Sequence, residues 1–285
     1  TWLHDIPKGD AVNVVASMAP VRAEANQLVF RPQRVTLGVG CARNCPPQEL
    51  AELVERVLQD ASISATALRG VFSLDVKADE PAVQMLAENL GLDARFFDAA
   101  ALEQETPRLA NPSDVVFAEV GCHGVSEAAA LSAAGPDGRL LAAKVKTKNA
   151  TAALAIAPQP IVELAGRARG RLSVVGIGPG QATWRTPEAS RLIAEADELV
   201  GYGLYIDLLG PLAAGKPRSD FPLGGEEARC RYALEQAATG KNVALICSGD
   251  AGIYAMGALV FELMDRGPDE MGVSDAAHRI EVQCT

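Results

Sequence analysis

Two apolar patterns alternate along this chain. Short aliphatic runs that end in glycine, such as RVTLGVG at 34–40, predict strands. Longer stretches with apolar residues every three or four positions, such as QELAELVERVL at 48–58, predict helices. The same spacing predicts helices at 78–91 and 125–135, each closed by a glycine. Strands that alternate with helices predict an α/β fold.

Three further segments complete the first half of the chain. Residues 113–121 (SDVVFAEVG) are nearly continuous in apolar character and predict a strand. Residues 139–158 predict two antiparallel strands that turn near Lys148 and Asn149. Residues 1–33 predict irregular structure, with one short apolar stretch, and a remnant of a preceding domain. We therefore expect an N-terminal α/β sandwich with a mixed sheet.

The pattern restarts after a linker. Residues 159–169 contain proline, glycine and arginine but no strand pattern, and a βαβ pattern resumes at Leu172. With 285 residues, the chain is long enough for two domains with separate cores. The sequence predicts one domain at 34–158 and a second, Rossmann-like domain at 170–285.

Composition and charge exclude several functions. Apolar residues make up 48% and charged residues 22%, which is typical of a globular protein. The net charge of −10 argues against nucleic acid as a partner, so a polycarboxylate ligand would have to meet local basic clusters or backbone amides. The apolar runs are too short to span a membrane. The 6 cysteines show neither disulfide nor metal-site spacing, which favours a reducing cytoplasm and predicts no bound metal.

Three glycine-bearing segments each follow a predicted strand in the second domain. They read GIGPG at 176–180, VGYGLYID at 200–207 and GDAGIYAMG at 249–257. Glycine lets a backbone approach a ligand closely. A dinucleotide fingerprint would place a third glycine where Gln181 stands, so a nicotinamide-binding domain is a poor alternative. Glu226, Glu227, Arg229 and Arg231 read as a solvated helix face.

These motifs, in this order, resemble the tetrapyrrole methyltransferases, and most closely the precorrin-3B C(17)-methyltransferase branch. The resemblance implies S-adenosylmethionine as cofactor and a macrocycle in contact with Tyr202 and Tyr205. It implies cofactor contacts from a set of loop residues: Gly178, Pro179, Gly180, Gly249, Asp250, Ile253 and Tyr254. Because that family uses two domains of about this size each, we expect the first half of a methyltransferase, inactive in methyl transfer by itself.

The first domain carries two glycine motifs that we interpret as loops between a strand and a helix. Such loops can hold a carboxylate or an oxyanion with backbone amides, which predicts substrate contacts from Gly40, Cys41, Cys122 and Gly124. The alternative is ordinary turns and packing.

Five polar residues near these motifs also suggest chemistry. His123 is a candidate general acid or base, and Glu119 could orient it. Lys144, Lys146 and Lys148 alternate, so on a strand they would form a basic row for substrate carboxylates or guard an exposed edge.

Four segments of this domain resemble the C-terminal domain of the cobalt-precorrin-5A hydrolases and their short stand-alone relatives. They are GVGCARNCPPQEL (38–50), FSLDVKADEPAVQMLAENLG (72–91), VGCHGVSEAAALSAAG (120–135) and KVKTKNATAALAIAP (144–158). The family reaction opens a lactone on the macrocycle and releases acetaldehyde.

Together the resemblances predict a bifunctional enzyme of cobalamin corrin-ring synthesis that acts on an anionic tetrapyrrole. A non-catalytic tetrapyrrole-binding or carrier module is the alternative, and a homodimer stays open.

Overall fold

A computed structural model describes residues 12–252, 256–267 and 270–285. Contacts between Cα atoms divide the chain into two compact units, Thr1–Gly166 and Arg167–Thr285. The division falls inside the segment predicted as a linker. Each unit is described by itself.

The first unit contains seven described strands and five α-helices. The strands are β1 (Asn13–Ala16), β2 (Gln27–Phe30), β3 (Val35–Cys41), β4 (Leu68–Leu74), β5 (Ala94–Phe97), β6 (Arg139–Lys146) and β7 (Ala150–Ile156). The helices are α1 (Pro47–Asp60), α2 (Pro81–Leu90), α3 (Ala99–Glu103), α4 (Asp114–Val120) and α5 (Ser126–Ala134).

A five-stranded mixed sheet in the order β5-β4-β3-β7-β6 forms the centre of this unit. Strands β3, β4 and β5 are parallel, whereas β7 runs antiparallel to both β3 and β6. Alternate residues of β3 face opposite sides. Val35, Leu37 and Val39 pack against the apolar faces of α1 and α2. The predicted α/β sandwich with a mixed sheet is confirmed.

Helix α5 lies unusually close to the other face of β3. Its alanines are buried around nearly the whole helix, so it has no polar face to expose. A methyl group at Gly38 would overlap the Ser126 carbonyl oxygen and lie 2.7 Å from the Ala130 amide nitrogen. The Thr36 hydroxyl donates to the Ala130 carbonyl at 2.8 Å. Gly38 therefore sets the distance between sheet and helix.

Two predictions for this unit are wrong. Residues 114–120 form α4 instead of a strand. The Ser113 hydroxyl accepts a hydrogen bond from the Val116 amide, and Gly121 closes the helix with a left-handed φ of 77°. Residues 13–16 and 27–30, predicted as irregular, pair in parallel as a two-stranded sheet.

The described part of the second unit contains five strands and four α-helices. The strands are β8 (Arg171–Gly176), β9 (Glu198–Tyr202), β10 (Arg218–Phe221), β11 (Asn242–Cys247) and β12 (Glu281–Cys284). The helices are α6 (Pro187–Glu195), α7 (Gly203–Asp207), α8 (Glu226–Ala238) and α9 (Met256–Asp265).

All strands of this unit run parallel in the order β10-β9-β11-β8-β12. Helices cover both faces, and the strands are apolar on both sides, as a parallel sheet requires. Val174 and Leu245 pack with α8 and α9, whereas Val175 and Ile246 pack with α6 on the opposite face. The predicted Rossmann-like domain is confirmed.

Candidate functional site

Two glycine loops meet at the carboxyl edge of the parallel sheet. The loop after β8 carries Gly178, and the loop after β11 carries Gly249. The two residues form an isolated antiparallel bridge, with N–O distances of 3.1 and 3.0 Å. Their φ angles of 59° and 71° lie in the left-handed region that favours glycine. The structure thus joins two motifs that are about 70 residues apart in the sequence.

The bridge lies at a topological switch point. Strands β8 and β11 are neighbours, but α6 follows β8 on one face and α9 follows β11 on the other. In open α/β sheets, the diverging loops at such a point leave a crevice where ligands bind. We therefore call the carboxyl ends of β8 and β11 the candidate ligand edge of this unit.

Close packing within the loops depends on a further glycine. A methyl group at Gly176 would overlap the Gly249 carbonyl oxygen and lie 2.8 Å from the Ala251 amide nitrogen. At Gly249 itself, a methyl group would meet no atom of the described residues within 4 Å. Among those residues, the space in front of Gly249 is thus open, whereas Gly176 serves internal packing.

The other predicted cofactor residues take different positions around this edge. Pro179 is exposed, and Gly180 is buried with its φ at 98°, next to Leu208. The Asp250 carboxylate accepts a 2.7 Å hydrogen bond from the Gly252 amide, so it closes its own loop. Ile253 and Tyr254 lie outside the described residues.

Tyr202 and Tyr205 form an aromatic pair on the neighbouring strand end. Tyr202 ends β9, which is adjacent to β11, and Tyr205 lies in α7. Their rings meet edge to face, with centroids 5.2 Å apart. Both side chains are half-buried, so they keep an accessible surface at the carboxyl edge.

Arg229 contradicts the prediction of a solvated face on α8. The residue is only 3% exposed, whereas Arg231 donates to the Gly272 carbonyl and to Glu227 near the surface. Helical spacing could have indicated this burial, because Arg229 precedes buried Ala233 and Ala237 by one and two helical turns.

In the first unit, the predicted loop at Gly40 and Cys41 is the end of strand β3. Gly40 is buried, and a methyl group there would lie 2.8 Å from the Thr151 hydroxyl and 3.3 Å from Val125. Its missing side chain therefore makes room for Thr151 and Val125 of the same unit. Cys41 is half-buried, and burial raises the pKa of its thiol to about 12. A protonated thiol is a poor nucleophile and a poor metal ligand.

A buried carboxylate beside Cys41 was not anticipated. Glu80 is 1% exposed, and its Oε1 has no hydrogen-bond partner among the described residues. Arg43 lies 3.6 Å from its Oε2 but pairs more closely with Asp79, at 2.6 Å. These polar side chains lie near the carboxyl end of β3.

The second predicted loop, 121–124, joins two helices, because residues 114–120 are helical. Cys122 is fully buried in the core, and a methyl group at Gly124 would lie 3.0 Å from Leu109. Both Cys122 and Gly124 are therefore buried within this unit. His123 is the side chain of the turn that keeps partial exposure, at 24%.

His123 is held by Glu103 instead of Glu119. Its Nδ1 lies 2.9 Å from Glu103 Oε1, and its backbone amide donates to Glu103 Oε2 at 3.0 Å. The hydrogen bond from His123 is the main cause that lowers the pKa of Glu103. Phe117 stacks on the imidazole at 4.5 Å, and Nε2 lies 3.5 Å from the exposed Asp114 carboxylate. Glu119 is exposed on α4.

The predicted row of three lysines is broken. Strand β6 ends at Lys146, so Lys148 lies in the turn, and irregular pairing between Ala142 and Val145 interrupts the alternation. Lys144 donates through Nζ to the Asn111 carbonyl at 2.9 Å, whereas Lys146 is exposed.

Glu127, at the start of α5, is a structural anion that the sequence did not reveal. It is 2% exposed and accepts four hydrogen bonds of 2.8–2.9 Å. The donors are the amides of Ala110, Asn111 and Lys144 and the Asn111 side chain. Burial acts to raise the pKa of Glu127, but these hydrogen bonds outweigh it and lower the pKa.

Among the described residues, no three His, Cys, Asp or Glu side chains gather where they could hold a metal ion. No described helix combines the length and apolar character needed to cross a bilayer.

The all-parallel sheet and its glycine-lined switch point define the second unit as a doubly wound α/β domain, and the first unit is a mixed α/β sandwich. Residues 35–155 match the family described as Cobalamin synthesis G C-terminus. Residues 171–270 match the family described as Tetrapyrrole (Corrin/Porphyrin) Methylases. The chain belongs to the cobalamin-synthesis proteins, with a G C-terminal domain followed by a tetrapyrrole methylase domain. Both resemblances predicted from the sequence are confirmed.

Individual proteins are similar to each of the two units separately. Protein CobE of Sinorhizobium sp is 50% identical over 121 residues, which are 42% of this chain and 79% of CobE. The probable cobalt-factor III C(17)-methyltransferase of Salmonella typhimurium is 44% identical over 95 residues, 33% of this chain and 39% of the relative. The precorrin-3B C(17)-methyltransferase of Sinorhizobium sp is 42% identical over 101 residues, 35% of this chain and 39% of the relative.

The chain thus spans about two fifths of the length of these methyltransferases. Tetrapyrrole methyltransferases as a family use S-adenosylmethionine as methyl donor.

Proposed function

We propose that the second unit binds S-adenosylmethionine at its carboxyl edge and serves methyl transfer to a precorrin at C(17). The observation that carries this proposal is the Gly178–Gly249 bridge at the switch point between β8 and β11. Two left-handed glycines and the open space before Gly249 fit a ligand that backbone atoms hold closely. The similarity of this unit to two C(17)-methyltransferases supports the reaction and the position methylated.

Side chains need to supply little of the methyl-transfer chemistry. The sulfonium of the cofactor carries an already activated methyl group. The protein's part is to align donor and acceptor and to exclude water. Gly178, Gly180 and Gly249 would hold the cofactor, and the Tyr202–Tyr205 pair would offer a flat apolar surface to the macrocycle.

Replacing Gly249 with valine should weaken binding of S-adenosylhomocysteine, the demethylated cofactor, at least tenfold. The new side chain would project into the open space before the loop. Ligand-observed NMR on the full chain measures the affinity and also detects millimolar binding.

Gly215→Val is the matched control, because Gly215 also has open space and a similar φ of 75° but precedes β10 at the opposite edge of the sheet. Both variants should lose about 1–2 kcal/mol of stability from left-handed strain. Equal affinities in the two variants would show that Gly249 is only a turn residue. No binding by the unmodified chain would refute the cofactor proposal itself.

We propose further that the first unit opens a lactone on an anionic tetrapyrrole, with His123 as general base and acid. Glu103 fixes the imidazole through Nδ1, which leaves Nε2 to take a proton from water. The water oxygen then bonds to the lactone carbonyl carbon, the ring C–O bond breaks, and the leaving oxygen receives the proton back. The Glu103–His123 pair and the family assignment of this unit support the proposal.

Glu103→Gln should reduce lactone opening about 10- to 100-fold, because a neutral amide stabilises the imidazolium less well than a carboxylate does. Acetaldehyde release from cobalt-precorrin-5A, followed against pH, measures the effect. The pH profile should shift along with the rate, which a purely structural role would not cause.

Glu119→Gln should leave both rate and profile unchanged, since Glu119 is exposed and His123 bonds Glu103. A loss of rate in Glu119→Gln, with Glu103→Gln unchanged, would instead make Glu119 the partner of His123. Tight tetrapyrrole binding without acetaldehyde release would instead indicate a carrier.

A further inference from the structure

Arg229 is a buried cation whose one anionic contact among the described residues is a distant one, to Glu226. Its side chain is 4% exposed, and its Nε and Nη1 atoms have no hydrogen-bond partner among the described residues. Nη2 makes two long contacts, at 3.4 Å to Glu226 Oε1 and at 3.5 Å to Met256 Sδ. The Glu226 side chain is 37% exposed, so it is largely solvated by water.

This arrangement is costly without a further partner. A guanidinium presents five N–H donors in a planar fork, and burying unpaired donors costs free energy. The guanidinium has two edges, Nη1–Nη2 and Nε–Nη2. Each edge contains one nitrogen without a partner among the described residues. Either edge can therefore donate to both oxygens of a carboxylate, whose geometry matches the fork.

The guanidinium lies beside the candidate ligand edge of the sheet. Met256, which it contacts, begins α9, and the Gly257 amide ties this helix start to the Ala251 carbonyl in the loop after β11. Burial raises the pKa of the Cys247 thiol to about 12, and the nearby charge of Arg229 opposes that rise. Cys247 is the last residue of β11, so Arg229 lies at the strand end that leads into the Gly249 loop.

We infer that Arg229 binds a carboxylate of the ligand at this edge. The inference deepens the proposed methyltransferase function and rests on it. Two ligands there would bring a carboxylate: the cofactor through its methionine part, and the macrocycle through its acid side chains. The sulfonium donor and its demethylated product share the same amino-acid carboxylate, so the product serves as the probe.

The test compares two adenosine ligands. S-adenosylhomocysteine carries the carboxylate, whereas 5′-methylthioadenosine lacks the whole amino-acid part. If Arg229 holds the cofactor, Arg229→Met should weaken the binding of S-adenosylhomocysteine at least tenfold. The affinity for methylthioadenosine should change by less than twofold. Arg229→Lys, which keeps the charge, should give an intermediate loss. Ligand-observed NMR on the full chain provides the affinities, and circular dichroism confirms that each variant is folded.

A second experiment tests the macrocycle as the source of the carboxylate. If Arg229 holds the macrocycle, Arg229→Met should weaken binding of a uroporphyrin at least tenfold, by absorbance titration, with both adenosine ligands unchanged. Arg231→Met is the matched control on the same helix, because Arg231 already has partners, and it should change neither affinity.

Two results would overturn the inference. One is unchanged affinity of Arg229→Met for S-adenosylhomocysteine and uroporphyrin alike. The other is an equal loss for both adenosine ligands, which would assign Arg229 a structural role. Failure of the proposed function is separate, because the unmodified chain would then bind neither adenosine ligand, and the uroporphyrin arm alone would decide the role of Arg229.

Discussion

Replacing Gly38 with alanine should lower the free energy of unfolding of the first unit by about 3 kcal/mol. The added methyl group overlaps the Ser126 carbonyl oxygen and approaches the Ala130 amide, and both are backbone atoms of α5. Backbone cannot rotate away as a side chain can, so the whole helix must move off the sheet. Chemical denaturation followed by circular dichroism measures the loss, and hydrogen exchange of the α5 amides assigns it to this helix.

Gly91→Ala is the comparison that separates crowding from the general cost of replacing a glycine. Gly91 ends α2 with a φ of 64° and has open space around it. That variant should lose only about 1 kcal/mol, from left-handed strain. If Gly38→Ala lost no more than Gly91→Ala, α5 would be free to shift and the close approach would not matter.

Glu127→Gln should lower the stability of the first unit by about 2–4 kcal/mol. Glu127 accepts two bonds on each carboxylate oxygen, from backbone and side-chain N–H groups. Glutamine turns one of the two acceptors into a donor, so in either orientation two N–H donors face an NH₂ group. Glu88→Gln, at an exposed position of α2, should change stability by less than about 0.5 kcal/mol.

The same carboxylate makes the stability of the first unit depend on pH. Because the pKa of folded Glu127 lies below its usual value of 4.5, its contribution is complete above about pH 4.5 and is lost as the pH falls through the folded pKa. Denaturation between pH 3 and pH 6 measures the stabilities of the unmodified chain and of Glu127→Gln. These stabilities should converge as the pH falls. A constant difference across that range would exclude a charged Glu127 as the cause.

Most elements of the fold could be predicted because their patterns are local. Apolar spacing located α1, α2 and α5, and glycine-terminated runs located β3 and β8. Helix α4 was missed because its consecutive apolar residues hide the helical period. Its signals lay at the ends, in the cap Ser113 and in the closing Gly121. Exposed apolar residues on α4, such as Val115 and Phe117, explain why apolar spacing misled there.

The candidate sites were harder to predict, because they depend on contacts between distant segments. The glycines at 178 and 249 were identifiable as loop residues, but only the fold shows that they pair across β8 and β11. Glu103 is 20 residues from His123, and no local pattern links the two. Arg229 could have been singled out, since it occupies a position of the apolar stripe on α8. A charged residue in such a stripe deserves a binding test.

The bridge between Gly178 and Gly249 also has an evolutionary consequence. Two backbone hydrogen bonds make the loops after β8 and β11 a single mechanical element. An insertion that reshapes one loop would move the other, so the lengths of the two loops should change together among related sequences. A family alignment should show this co-variation between positions some 70 residues apart, and the candidate ligand edge would then be inherited as one unit.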